Sequence, residues 1–162
     1  MICMEKFVFD TNILIDLKHF NPLVFKSLWE NIQFMLEINM IYSVLEVHNE
    51  LSKTEDMLNE KWEKFDRKFG FFIDLSEKAN SMEYWEVMRE LEIFETFQKH
   101  GEREHYWADP YLISVAKVDG SIVVTNETMN RNPKRKIPFV CQELGIPCMT
   151  FDEFMIHNGW QW

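Results

Sequence analysis

FVFDTNILIDL, residues 7–17, carries the reading of the fold. Phe7, Val8 and Phe9 are apolar without alternation, the pattern of a strand covered on both faces of its sheet. The strand runs straight into Asp10, Thr11 and Asn12. A buried parallel strand that ends in a carboxylate directs that group into the crevice beyond the strand ends, where open α/β sheets gather their chemistry. Asp-Thr-Asn ahead of ILIDL also suits a helix N-cap. Several small polar side chains offering oxygen at one strand tip favour the functional reading.

Working outward, five short apolar runs read as buried strands: KFVF (6–9), MIYS (40–43), FFIDL (71–75), SIVVT (121–125) and PCMTF (147–151). Helical spacing fills the intervals. Val24, Leu28, Ile32 and Met35 recur at three or four residues, as do Leu58, Trp62, Phe65 and Phe69. Segment 82–99 sets Trp85, Met88, Leu91, Phe94 and Phe97 on one broad face, with Glu83, Glu86, Glu90 and Glu95 elsewhere. Asp-Pro opens a helix over Tyr111 to Lys117, and a short helix near 152–157 closes the chain. Strands alternating with helices predict an α/β protein with a mostly parallel sheet covered on both faces. No repeat, low-complexity tract or Pro/Gly/Ser linker interrupts it, so one domain over 1–162 is expected.

Composition narrows the function classes. Hydrophobic residues at 46% and aromatics at 15% supply a core and exclude disorder. No apolar run approaches the ~18 residues that span a membrane. The N-terminus lacks the basic start, apolar stretch and cleavage site of a secretory signal. Cys3, Cys141 and Cys148, an odd number without framework spacing, read as reduced thiols, so a cytoplasmic location and no membrane association are expected. His19, His48, His100, His105 and His157 show no zinc spacing, and no Gly-rich loop cradles a nucleotide. A net charge of −10 counts against a protein that simply coats nucleic acid. It does not exclude an acidic pocket neutralised by metal. The basic residues are uneven: NRNPKRK (130–136) holds Arg131, Lys134, Arg135 and Lys136. It reads either as an exposed loop or as a segment that steers a phosphate backbone.

Further acids fall where they can approach Asp10. The second strand leads into SVLEVHNEL, with Val44, Val47 and Leu51 on the buried face. On an ideal helix Glu50 lies about 90° from the centre of that face and Glu46 about 130°. Glu50 therefore borders the core, and Glu46 is the more solvated. Asp109, in YWADPYLISVAK, begins the helix that feeds the fourth strand, as an N-cap or as a site residue. That strand ends in Thr125-Asn126-Glu127, again an acid beside two neutral oxygens.

DTN after strand one, EL on the second-strand helix, ADPYLISVA before strand four and VVTNE after it, in that order, resemble the PIN-domain family. The resemblance covers nearly the whole chain. The tail KIPFVCQELGIPCMTFDEFM is similar to a toxin-related prokaryotic branch of PIN-like proteins. The resemblance implies a three-layer α/β/α sandwich on a five-stranded, mainly parallel sheet, acting as a metal-dependent endoribonuclease. It implies Asp10, Glu50, Asp109 and Glu127 as catalytic metal-binding acids, with Asn12 and Thr125 supporting them. Asp10 and Asp109 are expected to hold the main Mg²⁺ or Mn²⁺, while Glu50 and Glu127 complete or bridge the site. Whether Glu46 substitutes for Glu50 stays open. Hard cations prefer such oxygen ligands, and phosphodiester hydrolysis needs positive charge against an anionic centre. The implied partners are an RNA substrate and a small antitoxin protein. Segment 82–99 reads first as core, and second as a surface for that antitoxin or for a second subunit in a homodimer.

Two departures stand out. The fourth acid is Glu127 where many PIN domains place Asp, and segment 52–106 is longer and more acidic than in compact toxin members. Two other classes share features with this chain: a strand-end-Asp phosphatase or receiver, and a PIN-like scaffold that binds RNA or protein without catalysis. A dehalogenase-type phosphatase wants a second Asp two residues after the first, and Asn12 stands there instead.

Overall fold

A computed structural model of the chain describes residues 4–53, 57–94, 97, 108–129 and 136–161. Five strands form one sheet: β1 (Phe7–Phe9), β2 (Ile41–Val44), β3 (Phe72–Ile73), β4 (Ile122–Val124) and β5 (Cys148–Met149), in the order β3-β2-β1-β4-β5. Every pairing is parallel. Phe7 lies opposite both Ile41 and Ile122, and Phe9 opposite Val124, so β1 is the central strand and β4 ends level with it. That register sets Asp10 beside Thr125, and the Asp10 N–H donates to the Val124 carbonyl at 3.0 Å.

The helices are α1 (Thr11–Asp16), α2 (Lys26–Glu37), α3 (Leu45–Leu51), α4 (Met57–Phe69), α5 (Ser81–Glu90), α6 (Asp109–Asp119), α7 (Ile137–Leu144) and α8 (Phe151–His157). Parallel crossovers are right-handed. The connections stepping from β1 to β2 to β3, which carry α1–α4, therefore cover one face. Those stepping back through β4 to β5, carrying α5–α7, cover the other. Accordingly, α2 packs on β2 and α4, whereas α6 packs on β1, β2, β4, α5 and α7. α8 returns to the centre, where Phe154 meets Phe7 and Phe9 edge-on at 4.9 and 5.2 Å. The architecture is the α/β sandwich with a five-stranded parallel sheet that the motif order implied.

Several elements differ from the expected ones in detail. Val24 precedes α2 and is 73% exposed, because the turn after Asn21 delays the helix to Lys26; Trp29 and Leu36 fill the face instead. The helix expected over 82–99 stops at Glu90 and passes through a 3-10 turn at Leu91–Ile93 into extended Phe94. Residues 95, 96, 98 and 99 lie outside the described residues. Its buried anchor is Tyr84, which the spacing missed. The Tyr84 hydroxyl donates to Asp119 at 2.9 Å, and its carbonyl accepts from Ser114 at 2.7 Å. Trp85 is half-buried, set edge-on to Tyr111 at 6.1 Å. Among the described residues, no helix is long and apolar enough to cross a membrane.

Candidate functional site

Asp10 is 4% exposed at the tip of the central strand. Its Oδ1 accepts the Thr11 N–H at 2.6 Å, so it caps α1. Its Oδ2 accepts from Asn12 Nδ2 at 3.0 Å and from the Thr125 hydroxyl at 2.8 Å. The N-cap reading of Asp10 is therefore realised, and its second oxygen is left to Asn12 and Thr125. Each of these donors is neutral. Burial pushes the Asp10 carboxyl from its ordinary 3.8 up to about 7, and the negative charges of Glu127 and Glu50 push it the same way. The hydrogen bonds from Thr125 and Thr11 oppose that rise. Among the described residues, no Lys or Arg forms an ion pair with Asp10, Glu50 or Glu127.

The β4 tip is tied to α1 side by side. Thr125 Oγ1 accepts from Asn12 Nδ2 at 3.0 Å and from the Glu127 N–H at 3.2 Å. Asn126, quoted in the Thr-Asn-Glu tip but given no role by its sequence position, commits its N–H and both polar atoms of its side chain. Its N–H donates to Asn12 Oδ1 at 3.0 Å, its Nδ2 to Asp16 at 2.7 Å, and its Oδ1 accepts the Phe151 N–H at 3.0 Å. One side chain thus clasps β4, α1 and the start of α8. The available signal was a run of polar residues where the strand should stop, together with a lone acid, Asp16, within an apolar helix.

Glu127 turns back toward α7, where its Oε2 accepts the Ile137 N–H at 2.9 Å. Glu50, on α3, accepts the Ala108 N–H at 2.9 Å on Oε1 and the Thr11 hydroxyl on Oε2. Asp10, Glu50 and Glu127 share a logic: each receives an amide at the beginning of a helix, where unpaired N–H groups favour negative charge. Asp109 is the first residue of α6 and half-buried; the N-cap position belongs to Ala108. Through Ala108, the start of α6 is held to Glu50.

Glu46 departs from expectation. Both it and Glu50 are half-buried, and Glu46 Oε2 is a buried oxygen without a hydrogen-bond partner among the described residues, so Glu46 is not simply the solvated acid of α3. Burial raises its carboxyl, and the charge of Asp74 adds to the effect. Burial also raises Tyr111, with a contribution from Glu46. Helical-wheel angles locate a residue around α3 but not the groups from other elements, Asp74 and Tyr111 among them, that stand near it. Lys136 sits half-buried just before α7; Arg131, Lys134 and Arg135 lie outside the described residues. Cys141 and Cys148 face each other between α7 and β5, and that contact, with burial, pushes the Cys141 thiol up.

The donor set is all oxygen, the kind that hard divalent cations prefer. A buried carboxylate flanked by two acids and met only by neutral donors also suits a cation chemically. Among the described residues, however, no three His, Cys, Asp or Glu side chains stand where one ion could take them together. The acids are gathered but not closed into a ligand set.

Fold and site together define a three-layer α/β protein with an acidic cluster at the carboxyl edge of a parallel sheet. The chain belongs to the DUF4411 family, a domain of unknown function, whose model matches residues 7–162. No curated protein matches it. Among solved structures, it is similar to VapBC2 from Rickettsia felis bound to a DNA fragment from their promoter. That likeness is 20% identical, covers 89% of this chain and 97% of the other, and has a TM-score of 0.48.

Proposed function

We propose that the chain, acting as one domain over 1–162, is a Mg²⁺- or Mn²⁺-dependent endoribonuclease. One observation carries the reading. Asp10 is buried at a strand tip and held by neutral donors, with Glu50 and Glu127 near enough to raise its carboxyl. Structural carboxylates usually end in a cationic partner, because an uncompensated buried charge is costly. Here the neighbours add negative charge instead. A divalent ion is the partner this chemistry calls for, with Asp10, Glu50, Asp109 and Glu127 as the residues that would hold it. When bound, such an ion supplies positive charge against an anionic phosphate and lowers the pKa of water.

The protein's own part is positioning. Thr125 and Asn12 fix Oδ2 of Asp10, leaving Oδ1 with a single donor, the Thr11 N–H. Glu50 and Glu127 hold helix starts that bring α6 and α7 to the cluster. Lys136, with Arg131, Lys134 and Arg135, steers the phosphate backbone toward it. The motif resemblance supplies the toxin role, with a small antitoxin protein as its inhibitor.

The test is incubation of labelled RNA with the protein in Mn²⁺ or in EDTA. Cleavage in Mn²⁺ that vanishes in EDTA and in Asp10→Asn supports the nuclease. RNA binding without cleavage in either condition would instead establish a non-catalytic RNA-binding scaffold.

A further inference from the structure

Thr125 and Glu127 belong to two surfaces at once. On one side the Thr125 hydroxyl lies 2.8 Å from Asp10. On the other, both residues line a groove of about 280 Å³ that runs between α7 and α8 past the end of β5. Met129, Pro138, Ile146 and Met149 form its apolar wall, while Gln142 and Glu153 stand among its polar lining. Resting on the ribonuclease reading above, we propose that this groove is a nucleobase subsite. It seats the base of a nucleotide whose phosphate meets the Asp10 cluster, and it favours bases that carry an exocyclic amine.

Three features select that occupant. The first is adjacency: Thr125 lines the groove and its hydroxyl reaches Asp10, so a single residue separates the groove from the acidic cluster. The second is charge. The described lining residues include Glu127 and Glu153, and among them no Lys, Arg or His stands; carboxylates of this kind repel a phosphate and suit a neutral ring. The volume is close to the ~300 Å³ lower end of small-molecule sites, and flexible thioethers such as Met129 and Met149 adapt well to a planar face.

The third is the hydrogen-bonding pattern. Glu153 receives the Thr150 N–H on Oε2 at only 3.4 Å, in the capping box of α8, which leaves Oε1 as a strong acceptor. Gln142 is exposed on α7 and offers one amide donor group and one acceptor. Carboxylates accept from base amino groups such as cytosine N4. Uracil has no exocyclic amine to give.

Binding of fluorescein-labelled oligo-A, oligo-C and oligo-U RNAs to the Asp10→Asn protein in Mn²⁺, followed by anisotropy, tests the proposal, with cleavage of mixed-sequence RNA by the native protein as a separate arm. Oligo-C and oligo-A should bind about fivefold or more tightly than oligo-U, the worth of one hydrogen bond. Gln142→Ala and Glu153→Gln should each shrink that preference; Gln at 153 can still serve the capping box. Met149→Trp, which fills the groove, should weaken oligo-A and oligo-C most. Cleavage by the native protein with no base preference, or with a preference unmoved by these variants, overturns the subsite and leaves the ribonuclease reading intact. A preference that follows Gln142 and Glu153 without any cleavage upholds the subsite and overturns the ribonuclease. Neither binding nor cleavage overturns both.

Discussion

The β4 tip and the α3 edge each bring a carboxylate toward Asp10, by different means. At the β4 tip, strand register does the placing: Phe9 lies opposite Val124, so Thr125 must stand beside Asp10, and Asn126 then ties its N–H and side-chain amide to α1 and α8. At the α3 edge, long side chains reach across from a helix. Glu50 finds a donor for each oxygen, while Glu46, one turn earlier, keeps a buried oxygen with no partner among the described residues. Backbone pairing fixes position tightly, whereas a helix edge leaves two candidate acids and lets packing choose between them. The β4 tip should therefore behave as the rigid half of the site, and α3 as its adjustable half.

The largest expected effect tests the rigid half. Asn126→Ala strips two side-chain hydrogen bonds and leaves the Phe151 N–H without its acceptor, which should cost about 2–4 kcal/mol in chemical denaturation. Asn126→Asp keeps the acceptor but turns a donor into a second carboxylate facing Asp16. Adding Asp16→Asn to that variant restores a donor on the opposite side, so the double variant should recover most of the stability and any RNA cleavage that the single variant loses. If the double variant is no better than the single one, the clasp is not what holds the tip.

The same contrast explains what the sequence made legible. The central strands were readable because the apolar runs of β1 and β4 are continuous and each ends in a polar tip; the positions of Asp10, Thr125 and Glu127 follow from that directly. Asn126 was visible as a residue but not as a clasp, since its partners Asp16 and Phe151 are 110 and 25 positions away. Glu46 was misplaced because helical periodicity describes one helix and knows nothing of groups such as Asp74 and Tyr111 that stand near it from other elements. The reach of segment 82–99 was overestimated because apolar spacing continues past Glu90 into a 3-10 turn that buries Leu91 just as a helix would.

Next in size is Glu50→Ala. It removes the acceptor for the Ala108 N–H at a fully buried residue, with an expected cost of about 1–3 kcal/mol. Hydrogen exchange should show the start of α6 fraying while the β4 tip keeps its protection. Equal loss of protection at both would mean that the two halves are one cooperative unit.

Asp10 gives a pH-dependent measure of the charge both halves impose. Its carboxyl is raised in the folded chain from 3.8 to about 7. A raised carboxyl favours the protonated form in the fold, so its contribution to stability is full below 3.8 and is lost as pH rises through about 7. Without metal, the stability of the native chain relative to Asp10→Asn should fall across that window and level off above it. Mn²⁺ added above the window should recover the loss in the native chain and do little for Asp10→Asn. Thr125→Val, which removes the hydroxyl that opposes the shift, should move the window upward. Glu50→Gln, which removes one raising charge, should move it downward. A stability difference that is flat with pH would mean that Asp10 carries no uncompensated charge.

The smallest effect decides which acid of α3 serves the site. Glu46→Met replaces a buried oxygen that lacks a partner with an apolar group of similar length, and should raise stability by about 0.5–1 kcal/mol. Glu50→Ala is expected to do the opposite, so stability alone separates a committed acid from an orphaned one. Cleavage then separates structure from chemistry. If Glu50 is the working acid, Glu46→Met is more stable and still cuts RNA. If Glu46 takes that role, its buried oxygen is the signature of a ligand awaiting its ion: Glu46→Met then gains stability but abolishes cleavage, and Glu50→Ala loses stability while keeping it. A gain in stability accompanied by loss of activity at Glu46 would transfer the site's third carboxylate one turn along α3 and leave Glu50 as the residue that anchors α6.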